Sequence, residues 1–351
     1  MERKFFAASN SCDGFKNYYW ECFERADRLY IIKGGPGTGK STFMKVVGNM
    51  AQGEGYYTEH YFCSSDYTSY DGVLFKKGGE YIGLIDGTFP HPYIEKLPGV
   101  REEILNLGVF WNSDILRSNG DTIRELSANK TRCYNNAYSY LRTCGNLREV
   151  LNSYISGKIN TEKIEKEVEK LTRDVPRGSK FSCIPTPVNS IGMLGKSHFD
   201  TYEAIADKIY MLCGESGAGE LLCAIFKCAQ EKELKIRSAP NPVYFGEFDG
   251  VYLEDARIWF VREDALSDKA IDEYQSKIKR INMQRFELEG ASEWKSEKRY
   301  CKKLIDEAMN AAEESLRAAG EYHFEIEKIY KSAMDFSGVN DYVNEFCQKI
   351  I

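Results

Sequence analysis

Residues 26–42 read ADRLYIIKGGPGTGKST. Leu29 to Lys33 is a short apolar strand, Gly34 through Ser41 spell G-x-x-x-x-G-K-S, and Phe43, Val46, Val47, Met50 and Ala51 recur along one helical face. Strand, glycine loop and helix in that order suit a polyphosphate. Gly34, Gly35, Gly37 and Gly39, with Pro36 and Thr38 between them, let backbone N–H groups converge into an anion nest, and the helix N-terminus adds the positive end of its dipole. Lys40 is expected to reach the β- and γ-phosphates, and Ser41, next to Thr42, to ligate Mg²⁺.

The loop needs a carboxylate at the end of a neighbouring strand, and YIGLIDGT (81–88) supplies Asp86. Tyr57 to Cys63 reads as a second strand and Tyr81 to Ile85 as a third, apolar enough to be buried on both faces as in a parallel sheet. Asp86 is the expected second Mg²⁺ partner. Gly87 follows it where hydrolytic ATPases often have glutamate, so a general base comes from elsewhere, or the enzyme is slow, or the acceptor is not water. His91 in GTFPHP and Asp66 in CSSDYTSYDG lie just after strands, where ligands gather in open sheets. Each also has a plain structural reading: a histidine among prolines, and an aspartate capping a turn with Ser64 and Ser65.

The opening stretch recurs. ADKIYMLCGESGAGELL (206–222) aligns on it without gaps, 180 positions downstream, with six of 17 residues identical. Asp71-Gly72-Val73 matches Asp249-Gly250-Val251, AYSYLRTCG (137–145) matches AEESLRAAG (312–320), and KFFAASNS (4–11) lies over KFSCIPTP (180–187). Colinear matches of this kind imply two homologous halves, 1–176 and 177–351, joined near TRDVPRGSK. In the ungapped alignment Gly214, Gly217 and Gly219 keep the glycine spacing, while Glu220 replaces Lys40 and Leu221 replaces Ser41. YIGLIDGT falls on RIWFVRED (257–264), which sets Arg262 in the place of Asp86; a two-residue slip would instead bring Asp264 there. Two unit charges ~4 Å apart at an effective dielectric of ~20 interact by ~4 kcal/mol, so a carboxylate facing polyphosphate repels it. The second site is therefore expected to be empty of nucleotide, with Glu220 either paired with Arg262 across it or, after simple decay of the site, pointing into solvent.

GGPGTGKST, the CSSD segment with its following DGV, IDGT-x-PH and the helical insert after each core together resemble a bacterial family of duplicated P-loop ATPase-like proteins. The resemblance spans nearly the whole chain and implies tandem P-loop domains and ATP binding. The family pattern carries an intact second P-loop, from which this chain departs at Glu220 and Leu221. GPGTGKST alone also resembles AAA+ ATPases, but Asp86-Gly87 in place of an Asp-Glu pair argues against that assignment.

The expected architecture is α/β: two tandem P-loop NTPase-like domains, each a mostly parallel sheet in three α/β/α layers with a helical insert. The first insert is expected over about 98–172, and the second half turns helical from about Ser267. The mixed charges of KIKRINMQRFELEGASEWKSEKRYCKK (277–303) read as a solvated helix face or helical hairpin rather than a nucleic-acid surface, because glutamates interleave the basic residues. With 351 residues and a net charge of −6, no global positive field draws the chain onto nucleic acid or acidic lipid. No apolar run reaches the ~18 residues of a membrane span, and eleven scattered cysteines without a C-x-x-C pair read as reduced core residues. A cytoplasmic protein is expected, with ATP and Mg²⁺ as ligands and an unidentified acceptor or protein partner. The activities left open are hydrolysis of ATP, phosphoryl transfer to a small molecule or nucleotide, and a non-catalytic nucleotide-dependent switch.

Overall fold

The computed structural model describes residues 2–88, 93–214, 216–290 and 294–351. The first half runs β1 (Arg3–Phe6), β2 (Ala8–Ser11), β3 (Gly14–Asn17), α1 (Tyr19–Phe23), β4 (Arg28–Lys33), α2 (Lys40–Gly53), β5 (Tyr57–Phe62), β6 (Tyr70–Lys77), β7 (Glu80–Asp86), β8 (Glu102–Asn106), α3 (Ser113–Ser118), α4 (Gly120–Ser153) and α5 (Thr161–Leu171). The second runs β9 (Ser182–Pro185), β10 (Asn189–Gly192), β11 (Gly195–His198), α6 (Thr201–Ile205), β12 (Lys208–Cys213), α7 (Ala218–Glu231), β13 (Lys235–Pro240), β14 (Phe248–Leu253), β15 (Ile258–Arg262), α8 (Asp268–Glu273), β16 (Ile278–Asn282), α9 (Lys295–Ser332) and α10 (Phe336–Ile350).

Each half builds a six-stranded sheet, and the two sheets share one plan. Their orders are β1-β5-β6-β7-β4-β8 and β9-β13-β14-β15-β12-β16. In both, the third strand is antiparallel to its two neighbours and every other pairing is parallel. The sheets are therefore mixed, with antiparallel β6 and β14 inserted beside the expected parallel strands. Even a bulge recurs, between Tyr61 and Phe62 and between Ala239 and Pro240. At the N-terminal ends the repeat runs in a different register from KFFAASNS over KFSCIPTP: the small hairpins β2-β3 and β10-β11 close at Ser11–Gly14 and Gly192–Gly195, which makes Ser11 and Gly192 equivalent.

Both expected inserts begin with a strand. Glu102–Asn106 is β8, at the edge of the first sheet, and Ile278–Asn282, inside the stretch read as a charged helix face, is β16 at the edge of the second. Only one side of an edge strand is covered, so Lys279 and Arg280 stay exposed while Ile281 is buried. Charged edge residues of this kind also discourage pairing with another chain.

Helices cover the outer faces of the sheets in an exchanged pattern. On the first sheet, α2 packs with α10, whose Val339, Val343, Phe346 and Ile350 join Phe43, Met44 and Val47 in one buried cluster. On the second, α7 packs with α5 from the first half, through Ile164 and Val168. Each half thus lends its last helix to the other. The long helices α4 (34 residues, about 51 Å at ~1.5 Å per residue) and α9 (38 residues, about 57 Å) pack on each other and carry the chain across.

The inner faces share a core in which Phe5, Phe23, Tyr61 and Leu74 meet Tyr202, Tyr252 and Trp259, with α1 and α6 between the sheets. A charged cluster crosses that core. Glu59 and Arg237 are the third residues of β5 and β13, and Arg237 Nη2 donates to Glu59 Oε1 at 2.7 Å with both side chains almost wholly buried. Arg25, Tyr57 and Tyr61 complete the shell of the Glu59 carboxylate, and Glu254 binds the other side of Arg237. Burial alone would raise the Glu59 pKa, but the Arg237 and Arg25 guanidiniums hold it far below the ordinary carboxylate range.

Removing one member of a buried charged set costs about 3–5 kcal/mol, because the others stay buried without compensation. Glu59→Gln is expected to lower unfolding stability by that amount in denaturant titrations, and Arg25→Gln, whose head is partly exposed, by less. A depressed folded pKa contributes stability that is present above the unfolded value of about 4.3 and lost as pH falls. The gap between wild type and Glu59→Gln should therefore shrink as the pH is lowered through that value.

Candidate functional site

The first glycine loop joins β4 to α2. Gly39, at φ 95°, caps α2, and Gly37 is also left-handed, at φ 69°, conformations that residues with a side chain adopt only under strain. Lys40 opens the helix and is nearly buried. Its ammonium donates to the carbonyls of Gly35 (2.7 Å) and Gly34 (3.3 Å) and lies 3.6 Å from the Asp86 carboxylate at the end of β7. Thr38 Oγ1 donates to Gly35 O at 2.9 Å. Ser41 Oγ accepts the Tyr70 N–H at 2.8 Å, which draws it toward the start of β6. The sheet therefore brings Lys40 and Asp86 together beside the loop, with Ser41 next in the chain.

Asp66, another sequence candidate, is engaged in its own turn. Asp66 Oδ1 accepts the Thr68 N–H (2.9 Å) and hydroxyl (2.6 Å), the turn-capping geometry of an Asx motif. His91 lies outside the described residues. Among the described residues no group of three or more His, Cys, Asp or Glu is arranged around a metal-sized centre. Ser41 and Asp86 suit a Mg²⁺ whose other ligands are phosphate and water, since a hard, strongly hydrated cation takes few protein oxygens. Asp86 Oδ1 is partly engaged by the Thr88 N–H (2.8 Å), and Oδ2 faces Lys40.

Sequence reasoning missed what covers the loop. The C-terminal end of α9, from the second half, rests on it. A Cβ at Gly35 would lie 2.4 Å from Tyr330 Cε1, and one at Gly37 would lie 2.9 Å from the Glu327 carbonyl oxygen and 3.1 Å from Lys331 Cγ. Trp111 meets the Tyr330 ring edge-on, with centroids 6.2 Å apart. The turn between α9 and α10 is stitched down by Asn112 N–H to Ala333 O and Asp335 N–H to Phe110 O, both 2.8 Å. The same stitches recur in the second half, where Leu288 N–H bonds Lys158 O (2.9 Å) and Asn160 N–H bonds Phe286 O (2.8 Å). Ile159 thereby lies over Gly217.

The second loop differs from the ungapped alignment. Four residues, 214–217, separate β12 from α7, where six, 34–39, separate β4 from α2. Gly217 (φ 86°) is the cap equivalent to Gly39, and the buried positions of α7, Ala218, Leu221, Leu222, Ile225 and Ala229, fall on Lys40, Phe43, Met44, Val47 and Ala51. Ala218 therefore stands in the place of Lys40 and Gly219 in that of Ser41. Glu220 takes the exposed position of Thr42, and Leu221 is core. The loop is two residues shorter and its lysine position holds alanine; the glutamate is a surface residue in the first turn of the helix.

Arg262 does stand where Asp86 does. In the strand ladders Asp86 pairs with Ile32 and Arg262 with Leu212, the equivalent residue. The expected Glu220–Arg262 pair is absent among the described residues. Arg262 instead bonds Asp264 (3.0 and 2.9 Å) and Glu247 (3.1 Å), and Glu247 also receives both nitrogens of an Arg148 fork from α4 (2.9 and 2.8 Å). Nearby Asp249 accepts Asn189 and Asn241 amides at 2.7 Å each, and its burial pushes its pKa up to about 7. A satisfied polar cluster fills the centre of the second half.

No protein-family model, curated protein or solved structure matches the chain. None of its described helices is long and apolar enough to cross a membrane.

Packing against Gly35 is tight enough to test. Gly35→Ala forces the new methyl into Tyr330, an overpacking that costs about 1–3 kcal/mol. Its melting temperature should fall, and adding Tyr330→Ala should recover part of the loss.

Proposed function

We propose that the chain binds one ATP, at the first glycine loop, and hydrolyses it with Mg²⁺. The observation that carries this reading is the Lys40 ammonium, nearly buried and held by the Gly34 and Gly35 carbonyls 3.6 Å from Asp86. A charge sequestered in this way, at a helix N-terminus beneath left-handed glycines, has its use in meeting an anion that enters the loop. Loop amides from Gly35 to Lys40 would cradle the β- and γ-phosphates, with Lys40 neutralising the charge that develops in transfer. Ser41 and Asp86 would hold the metal, which supplies charge neutralisation between the β- and γ-oxygens. No guanine-reading N-K-x-D sequence follows the first core, so adenine is the base assigned.

The second half takes no nucleotide on this reading. Its loop is too short to form the same nest, Ala218 offers no charge, and Arg262 is committed to two carboxylates. It lends α9 and α10 to the first site.

Titration calorimetry with Mg-ATP is expected to give a stoichiometry near one. Lys40→Ala should weaken binding by at least 100-fold, about 2.7 kcal/mol at ~1.4 kcal/mol per decade, while Glu220→Lys leaves it unchanged. Two equal sites would refute the assignment. Phosphate released without added acceptor supports hydrolysis, whereas label passing from ATP into a metabolite mixture would reassign the protein as a kinase.

A further inference from the structure

Among the described residues of the first half, none near the proposed site is free to act on water; His91 lies outside them. Asp86 is followed by Gly87, Asp66 is occupied with Thr68, and Lys40 and Ser41 are committed to phosphate and metal. The second half shows where α9 brings its side chains. The matching stitches of the two helical turns, and the matching contacts of Gly145 with Cys12 and Gly320 with Met193, fix how α4 and α9 correspond. In that correspondence Arg148 and Asn152 of α4 are the equivalents of His323 and Glu327 of α9. Arg148 reaches Glu247, which reaches Arg262, the counterpart of Asp86, and Asn152 also bonds Glu247. Those two positions on the long helix therefore face the strand-end centre of the opposite half.

In the first half the same positions carry an ionisable pair. Glu327 lies against the loop, its carbonyl oxygen 2.9 Å from a Cβ built on Gly37. Its carboxylate is held from both sides along the helix, by Lys331 Nζ at 2.7 Å and His323 Nε2 at 3.6 Å. The neighbouring His323 and Lys331 keep the carboxyl ionised, down to about 2.

We propose that Glu327, delivered by the second half, orients and deprotonates the water that attacks the γ-phosphate at the first loop, with His323 and Lys331 as its positioning residues. The proposal rests on the nucleotide reading of that loop. In the step, the water oxygen bonds to the γ-phosphorus while the bond to the β,γ-bridging oxygen breaks and its electron pair leaves on ADP. The water proton passes to the Glu327 carboxylate and then to solvent, giving ADP, phosphate and one proton. The two halves thus form one catalytic unit, with the loop and metal ligands from the first and the base from the second.

The full-length chain with Glu327→Gln tests this. Binding of Mg-ATP should stay near one per chain with affinity within about threefold of wild type, while turnover falls by about 100-fold or more, the usual share of a general base. Binding of ADP with aluminium fluoride, a mimic of the phosphoryl group in transfer, should weaken in the variant although ATP binding does not. Turnover within threefold of wild type, or loss of ATP affinity in parallel with turnover, would overturn the assignment. Should Glu327→Gln fold poorly, Glu327→Asp keeps the charge one methylene further back, and the same split between binding and turnover is expected. If wild type itself binds no Mg-ATP, or Lys40→Ala binds it normally, the nucleotide reading has failed; a normal Glu327 variant beside an active wild type defeats only the role of Glu327.

Discussion

The pair formed by Glu59 and Arg237 sits where the two halves become different. They occupy the same position of equivalent strands, so in an assembly of two identical subunits like charge would have met like charge at this place in the core. Opposite charges turn that conflict into a contact that fits only one half against the other. Buried pairs contribute little net stability against an apolar alternative, but a mispaired one is costly. The aromatic residues around it supply the adhesion; the charges specify which face meets which.

Around that contact the two halves have diverged unequally. Both retain the sheet order, the bulge, the hairpin and the stitched turn, the features that carry packing. Only the first retains a six-residue loop, with lysine following it at the first position of the helix. The second has filled the same centre with Arg262, Glu247, Asp264 and Arg148, a cluster in which each charge has a partner. That cluster holds the end of α4 as firmly as the first loop holds α9, so loss of the nest left the scaffold intact.

Much of this was legible in the sequence because glycines and aspartates at strand ends leave local marks. The β4-loop-α2 unit, Asp86 and its replacement by Arg262 follow from short-range pattern alone. The two-residue gap did not, because GESGAGEL preserves the glycine spacing of GGPGTGKS by coincidence; the periodicity of Leu221, Leu222, Ile225 and Ala229 was the available signal for shifting it. β16 was hidden because an edge strand with one wet face carries charges as a solvated helix does. Exchange of the helices had no local mark at all. Val339, Val343 and Phe346 declare an apolar face, but nothing in their spacing says that it belongs against residues about 300 positions earlier.

That last feature bears on how the chain is made. On the ribosome the first sheet is complete once β8 emerges, yet the part of its outer face beside α2 stays uncovered until α10 (336–350) has been made. Phe346 packs on Tyr30 and Phe43, and Lys77 binds the carbonyls of Ile350 and Ile351 (3.0 and 2.9 Å). At roughly 5–20 residues per second, the nascent first half waits on the order of ten to fifty seconds with apolar surface open. The glycine loop thus acquires its full surroundings only after α9 and α10 have been made, and a product lacking those helices would carry the motif without its cover.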